Sequence, residues 1–328
     1  MKRPRKLLAV CLVTVVGNLA AASQPLFAQA GNTNFPWLQI TLTNEAVALA
    51  IYDPTTNASG IHDVFLSTNL TQADGWNWFA RCAPGQTNLM VTNCPPDQGF
   101  FQLGINNAIR PGFTNYSLPP EDDEPSSNAT TSLNINFYGT WYSNIWVNEN
   151  GNVTFDGPLA DWVPAPLMQE GTAIIAPYWA DVDSRKAASD VVTYGTNLVN
   201  GQVAFGVNWV NVGYFDTHAD KLLSCQLVII DRSDITPGDF DMEFNYYKVQ
   251  WEAGDASGGN SGYWQGPGGG SARAGFSDGG TNDFELPGSG VAGALLDTNT
   301  VTGLIYNSFN SYVPGRYLFY FRDGTPLP

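Results

Sequence analysis

Histidine and cysteine are rare in this sequence, with two His and four Cys among 328 residues. The histidines, His62 and His218, fall in different predicted domains, so each domain has a single histidine that could serve as the base for a nucleophile. The chain also has no CxxC pair and no cluster of Cys with His. The sequence therefore disfavours hydrolases with Ser-His-Asp or Cys-His centres and proteins built around zinc.

Basic residues are also scarce: 14 Lys and Arg stand against 30 Asp and Glu, a formal charge of −16. Such an acidic surface repels nucleic acids and anionic lipids but attracts cations, so we predict no nucleic-acid partner. Glycine, proline and tryptophan are abundant, at 34, 21 and 10 residues, and strong helix formers are few. This composition is typical of an extracellular all-β protein rich in turns.

The chain's clearest long apolar stretch lies near its N-terminus. Basic residues at positions 2–6 precede "LLAVCLVTVVGNLAAA", and Ala28 and Ala30 form an A-x-A cleavage pattern. This order predicts a signal peptide over 1–30. The alternative, a retained membrane anchor, is disfavoured because the run is short and interrupted by Gly-Asn. We expect a secreted or cell-surface protein of charge near −20, with no membrane span after cleavage.

Three cysteines remain after the predicted cleavage. Cys82 and Cys94 bound "CAPGQTNLMVTNC", at a spacing that suits two facing positions of a hairpin. In an oxidising compartment this pattern predicts a Cys82–Cys94 disulfide. Cys225 lies within the apolar run "LLSCQLVIID", so a buried free thiol is expected there.

Turn signals and apolar runs divide the mature chain into two β-sandwich-like domains. Residues 31–118 contain short alternating runs that predict a small N-terminal β-domain. Residues 119–132, "PPEDDEPSSNATTS", combine proline, acids and small polar residues, which predicts a linker. The alternative for this acid run is a cation-binding patch. The larger β-domain covers 133–323, with hairpin turns predicted at "NENGN" and "VNGQ".

Two acids directly follow an apolar run in the larger domain. In "IAPYWADVDSR", Asp181 and Asp183 project from the same strand face about 7 Å apart. This arrangement is open to three interpretations: metal ligands, a catalytic carboxylate pair, or acids with a structural role. Catalysis is disfavoured because glycosidase acids normally face each other across a cleft. We expect the apolar run to be a buried strand, which Pro177 places at an edge or on a bulge. Asp181 and Asp183 are then expected to emerge at its solvent-exposed end.

A second group of acids alternates with apolar residues in "DFDMEF". Asp239, Asp241 and Glu243 share one face of the predicted strand, opposite Phe240, Met242 and Phe244. The simplest interpretation is a solvent-exposed face over a core face. An all-acid face repels itself, however, and Ca²⁺, which prefers oxygen ligands, would relieve the repulsion. We therefore name Asp181, Asp183, Asp239 and Asp241 as candidate calcium ligands.

Residues 137–322 resemble a known family. The blocks "IAPYWADVD", "VQWEAG" and "AGFSDG" occur in this order, after "FYGTWYSNIWVNENGNVTF" and before "VPGRYLFYFRDG". Together they resemble the NIDO domain, the nidogen-like extracellular domain that also occurs in secreted bacterial proteins. The resemblance implies an extracellular, cysteine-poor, β-rich module associated with cell–matrix adhesion and without established catalytic residues.

The expected function is thus non-catalytic binding or adhesion, with a matrix or cell-envelope protein or a glycan as partner. The alternative is a carbohydrate-binding module that uses exposed Trp and Tyr, and a secreted hydrolase is a distant third. For the tryptophans we favour burial in the core over exposure: Trp141, Trp146, Trp179, Trp209 and Trp251.

Overall fold

The computed structural model describes two compact units, residues 1–106 and 107–328, here called the N-terminal and C-terminal units. The structure describes residues 108–327, except 127–128, 268–269 and 312. It also describes eight earlier segments: 9–11, 25–26, 37–42, 47–52, 63–67, 77–82, 88–91 and 100–104. The described chain is nearly all β, as predicted. Among these residues, no helix has the length and apolar character needed to cross a membrane.

The described part of the N-terminal unit consists of short strands, of which β3–β8 lie in the region predicted as a small β-domain. They are β1 (Ala9–Cys11), β2 (Pro25–Leu26), β3 (Trp37–Leu42), β4 (Val47–Tyr52), β5 (Asp63–Ser67), β6 (Asn77–Arg81), β7 (Asn88–Val91) and β8 (Phe100–Gly104). Two antiparallel four-stranded sheets form, in the orders β1-β8-β5-β6 and β2-β3-β4-β7. β1 and β2 fall within the predicted signal peptide, whose cleavage stays a prediction.

One cysteine of the predicted disulfide is described. Cys82 is buried, and burial together with the nearby charge of Asp63 raises the pKa of its thiol to about 11. Cys94 lies outside the described residues, so the pairing stays a prediction. Cys225 is buried and free, as expected for an apolar strand.

The described residues of the C-terminal unit form sixteen strands. They are β9 (Tyr116–Ser117), β10 (Ala129–Phe137), β11 (Thr140–Asn148), β12 (Asn152–Thr154), β13 (Ile174–Trp179), β14 (Val182–Asp183), β15 (Thr193–Val199), β16 (Gln202–Tyr214), β17 (His218–Asp231), β18 (Phe240–Val249), β19 (Gly259–Asn260), β20 (Tyr263–Trp264), β21 (Arg273–Ser277), β22 (Asp283–Glu285), β23 (Arg316–Arg322) and β24 (Thr325–Pro326). One turn of 3₁₀ helix spans Leu167–Gln169.

Two antiparallel sheets of this unit form a sandwich. The smaller has six strands in the order β10-β11-β12-β13-β21-β22; the larger runs β24-β23-β18-β17-β16-β15-β9, with β14 also paired to β16. Tyr246 of β18 crosses between them and donates its hydroxyl to the carbonyl of Pro177 in β13, 2.6 Å away. Large fully buried side chains fill the core, including Trp179, Trp209, Trp251, Tyr178, Tyr214 and Phe244.

The strand "IIAPYW" is buried along its whole length, as predicted. Pro177 does not place it at an edge, because β13 lies between β12 and β21. The register with β21 instead shifts between Ala176 and Trp179. Proline has no backbone N–H for the ladder, and a bulge accommodates this loss inside a sheet. Of the two predicted explanations for Pro177, the bulge is confirmed.

A segment from Ala108 to Leu118, here called the strap, lies across the larger sheet. Phe113 packs in a core cluster with Val228 and Ile230. Val228 is paired with Glu243 on the neighbouring strand, so the Glu243 side chain lies on the same face of the sheet. The strap therefore covers a face that the sequence pattern assigned to solvent. Three acids there are buried instead, so that expectation was wrong: Asp239, Asp241 and Glu243 are 3 %, 9 % and 2 % exposed.

The residues predicted as a linker pack against the same unit. Asp122 forms an isolated β-bridge with Asp183, and Pro125 forms one with Asn148. Ser126 is buried and accepts a hydrogen bond from the backbone of Val147. A linker between the two domains is thus not confirmed, and the boundary between the units lies between 106 and 107.

Candidate functional site: a buried carboxylate cluster

Asp181 and Asp183 lie just beyond β13 and are buried, at 1 % and 0 % exposed. The expectation that they emerge into solvent was wrong. Asp183 is held by Arg185, whose Nε lies 2.9 Å from Oδ1, and by the backbone N–H of Thr217 at 2.8 Å. Burial opposes ionisation of Asp183, but these hydrogen bonds outweigh it and lower its pKa.

Asp181 has no arginine partner among the described residues. Its Oδ2 accepts a hydrogen bond from the backbone N–H of Ser257 at 3.1 Å. Burial raises its pKa to about 7, and the charges of Asp122 and Asp123 add to the rise. Alternation along a strand places Asp181 and Asp183 on one face, yet their partners differ.

The acids of β18 and the turn before it are neutralised by arginine. The carboxylate of Asp241 lies 2.8 Å from Nη1 of Arg232 and 2.5 Å from Nη2 of Arg322. The Nε of Arg322 is 3.8 Å from Oδ2 of Asp239. Guanidinium groups thus relieve the repulsion for which the sequence suggested Ca²⁺. Calcium binding at Asp239 and Asp241 stays a prediction, and these arginines compete with it.

Glu243 lies on the same face and has arginine partners as well. The Nε and Nη2 of Arg110, in the strap, lie 2.5 and 2.6 Å from its two oxygens, and the Nε of Arg316 is 3.7 Å away. Burial opposes its ionisation, but the Arg110 hydrogen bond and the Arg316 charge hold its pKa below the usual value. All three acids of this face are therefore paired.

A different group of carboxylates forms where residues 121–124 reach the end of β13. Asp122, Asp123 and Asp181 each place one carboxylate oxygen within 4.8 Å of the others. Asn150, in the β11–β12 turn, fixes Asp123 by donating its Nδ2 to Oδ1 at 2.7 Å. Its own Oδ1 accepts the backbone N–H of Val182 at 2.9 Å.

Glu149 is the fourth acid of this region and is 1 % exposed. Its Oε1 accepts both the backbone N–H, at 3.2 Å, and the hydroxyl of Ser184. Its Oε2 and the Oδ1 of Asp122 are buried and have no hydrogen-bond partner in the described part of the chain. We call Asp122, Asp123, Glu149 and Asp181 the carboxylate cluster.

The cluster is electrostatically unbalanced. Arg185 reaches Asp122 at 3.1 Å, but its shorter contact is with Asp183, outside the cluster. Burial is the main cause that raises the pKa of Asp122 to about 6 and that of Glu149 to about 9. Neighbouring carboxylates contribute to both shifts, because like charges disfavour ionisation.

The cluster's chemistry is that of hard oxygen donors. Carboxylate and amide oxygens are ligands that Ca²⁺ and Mg²⁺ take, whereas thiol and imidazole ligands are absent from these residues. Of the four ligands predicted from the sequence, the structure brings only Asp181 into this group. For Asp122 and Asp123, the sequence offered one indication: the acid run "EDDE" had a cation-binding patch as its alternative interpretation. Glu149 and Asn150 lie in a predicted hairpin turn, and nothing else in the sequence pointed to them.

Comparison with known proteins identifies the family of this chain. The family described as nidogen-like domain (NIDO) matches residues 143–323, just over half of the chain. The chain belongs to this nidogen-like family. The resemblance predicted from the sequence blocks is therefore confirmed. The "IAPYWADVD" block begins on β13, with its bulge, and ends at Asp183 of β14.

Individual relatives match about three fifths of the chain. Mouse alpha-tectorin is 31 % identical over 223 residues, which span 61 % of this chain and 10 % of the relative. Nidogen of Drosophila melanogaster is 26 % identical over 226 residues, 62 % of this chain and 15 % of the relative. The aligned region is thus a small part of each relative's length. No solved structure gives a significant match.

Proposed function

We propose that this protein acts outside the cell as a non-catalytic binding or adhesion protein. Membership of the nidogen-like family carries the proposal, and similarity to alpha-tectorin and nidogen supports it. We propose a matrix or cell-envelope protein as partner. The acidic composition, −16 in the full chain, favours solubility and disfavours nucleic acids.

Burial of the acids supports the non-catalytic interpretation. A glycosidase needs its two carboxyl groups open to a sugar on either side of the scissile bond. Asp181 and Asp183 are 1 % and 0 % exposed, and each is engaged by protein donors. These two acids do not line an open cleft.

One edge of the larger sheet offers an apolar surface for a partner. Tyr116 of β9 and Leu198 of β15 are 64 % and 63 % exposed, and Val203 is 41 % exposed. Leu198 and Val203 are paired across the β15–β16 hairpin. Exposed apolar side chains that lie together in this way commonly mark interaction sites. We call Tyr116, Tyr194, Leu198 and Val203 the edge patch.

The glycan alternative rests on the aromatic part of the same patch. The rings of Tyr116 and Tyr194 stack with centroids 5.5 Å apart and planes 28° apart, and Trp141 is 50 % exposed elsewhere on the unit. Flat aromatic surfaces with a polar edge suit sugar rings. Trp179, Trp209 and Trp251 are fully buried, as favoured from the sequence, and are not available for binding. Burial was also favoured for Trp141 and Trp146, but Trp141 is exposed and Trp146 is only partly buried.

Binding of the purified chain to arrays of matrix proteins and of glycans tests the proposal. Leu198→Asp removes apolar contact area, and we expect at least about a tenfold loss of binding to protein ligands. Val301→Asp is the matched control, since Val301 is 78 % exposed and lies outside the edge patch. Binding only to glycans, lost in Tyr116→Ala, would favour the carbohydrate-binding alternative. Turnover of any glycan or peptide would contradict the non-catalytic proposal.

A further inference from the structure

The two groups of buried acids in the C-terminal unit differ in how many arginines neutralise them. Asp239, Asp241 and Glu243 are each within 4 Å of at least one arginine nitrogen, and Arg110, Arg232, Arg316 and Arg322 share them. The carboxylate cluster is approached only by Arg185 among the described residues. Burying several carboxylates with little compensating positive charge is costly, and one arginine serves this cluster where four serve the other group.

The oxygen positions match the size of a calcium shell. Ca²⁺ binds oxygens at about 2.3–2.6 Å, so ligands on opposite sides of the ion are about 5 Å apart. The three carboxylate oxygens of Asp122, Asp123 and Asp181 lie within 4.8 Å of one another. One ion can therefore contact all three.

A second observation points to a ligand independently of that spacing. Glu149 is 99 % buried, yet its Oε2 has no hydrogen-bond donor in the described part of the chain. Asp122, whose charge contributes to the raised pKa of Glu149, also has a buried oxygen without a hydrogen-bond partner in the described part of the chain. Buried polar atoms normally have partners, and a cation between these side chains would supply one.

The geometry points to a Ca²⁺ site formed by Asp122, Asp123 and Asp181, a group that includes the side chain of Asp122 with its buried oxygen that lacks a hydrogen-bond partner among the described residues. Calcium is favoured over Mg²⁺ because three carboxylates converge there, whereas Mg²⁺ usually retains water and uses one or two carboxylates. The ion would join residues 122–123 to the end of β13. This site does not depend on the proposed binding function.

Calorimetric titration of the full chain with CaCl₂ after removal of metal by chelator tests the site directly. We expect one ion per chain with a Kd of about 10⁻⁵ to 10⁻³ M, and a higher melting temperature in Ca²⁺ than in EDTA. Titration with MgCl₂ should give at least about tenfold weaker binding. Equal or tighter Mg²⁺ binding would overturn the calcium assignment. If about 10 mM Ca²⁺ gave neither binding heat nor a shift in melting temperature, the proposed site would be overturned.

Asp123→Asn separates metal binding from a purely structural role. Removing one ligand charge should weaken Ca²⁺ binding about tenfold or more. In EDTA the same substitution should raise the melting temperature, because it removes repulsion between carboxylates. Asp283→Asn is the matched control: Asp283 is exposed on β22, and its substitution should leave Ca²⁺ binding unchanged.

Asp122→Asn is a second variant in case Asp123→Asn fails to fold, and it should also weaken binding. Terbium luminescence supplies a readout independent of stability, since the indole of Trp209 donates to the carbonyl of Glu149 at 2.8 Å and can sensitise a bound ion. We expect Ca²⁺ to displace the terbium signal. Equal Ca²⁺ affinity in Asp123→Asn, Asp122→Asn and Asp283→Asn would overturn the proposal.

Discussion

Removal of the Arg110 guanidinium should destabilise the C-terminal unit through Glu243. Glu243 is 2 % exposed, and Arg110 approaches both of its oxygens, at 2.5 and 2.6 Å. Arg110→Met keeps much of the side chain's apolar length but removes the charge. Glu243 then retains Arg316 at 3.7 Å and the Nδ2 of Asn245 at 3.1 Å.

The magnitude follows from what remains around Glu243. Removing one partner of a fully buried ion pair costs about 3–5 kcal/mol. Because Arg316 stays nearby, we expect Arg110→Met to lower the free energy of unfolding by about 2–3 kcal/mol at pH 7. The double variant Arg110→Met/Glu243→Gln removes both charges and should recover at least about half of this loss.

The effect should depend on pH with a defined sign. The folded-state pKa of Glu243 lies below its ordinary value of 4.5. Its ionised form therefore contributes stability that is present above pH 4.5 and is lost as the pH falls through the folded-state pKa. The difference between wild type and Arg110→Met should consequently shrink as the pH falls below 4.5.

Urea unfolding followed by tryptophan fluorescence, at pH 7 and at decreasing pH, measures these differences. Arg232→Met is the matched control. Arg232 has a 26 % exposed side chain and shares Asp241 with Arg322, so we expect a loss of less than about 1 kcal/mol. A loss below about 1 kcal/mol for Arg110→Met, or no recovery in the double variant, would refute the reasoning.

Two further predictions concern single sites. Gly151→Ala should destabilise the protein by about 3 kcal/mol or more, because φ is +79° and a Cβ would lie 1.7 Å from the carbonyl oxygen of Tyr178. Gly139→Ala, with φ +87° and open space around it, should cost only about 1 kcal/mol in the same melting assay; equal losses would contradict the steric argument. Cys225 is fully buried and its pKa is raised by burial, so iodoacetamide should alkylate it only after unfolding, as read by mass spectrometry. Rapid labelling of the native chain would contradict this.

The features predicted best were those encoded by neighbouring residues. The "NENGN" and "VNGQ" segments form the expected turns, with Gly151 at φ +79° and Gly201 at φ +89°. In "DFDMEF" the alternation correctly separated Phe240, Met242 and Phe244 from the acids. Period-two patterns and glycine turns act over a few residues, so a single sequence displays them.

What the pattern could not show was which sheet face is covered, and by what. Alternation assigns residues to two faces but does not identify which of them meets solvent. Glu243 is buried by the strap, and its partner Arg110 lies 133 positions away. The carboxylate cluster likewise joins Asp122 to Asp181 across distant segments. Pairing at such separation depends on the tertiary arrangement, and a proline-rich acidic run predicts solvent exposure on composition alone.

The strap has a consequence for how the nidogen-like domain is delimited. The family match begins at 143, but β9, β10 and the strap precede that position and belong to the same compact unit. A fragment started at 143 would lack Arg110, the Phe113 ring that packs against Gly206, and both linker-derived carboxylates of the cluster. The unit of sequence similarity is therefore shorter than the unit of folding, and an expression boundary belongs before Ala108.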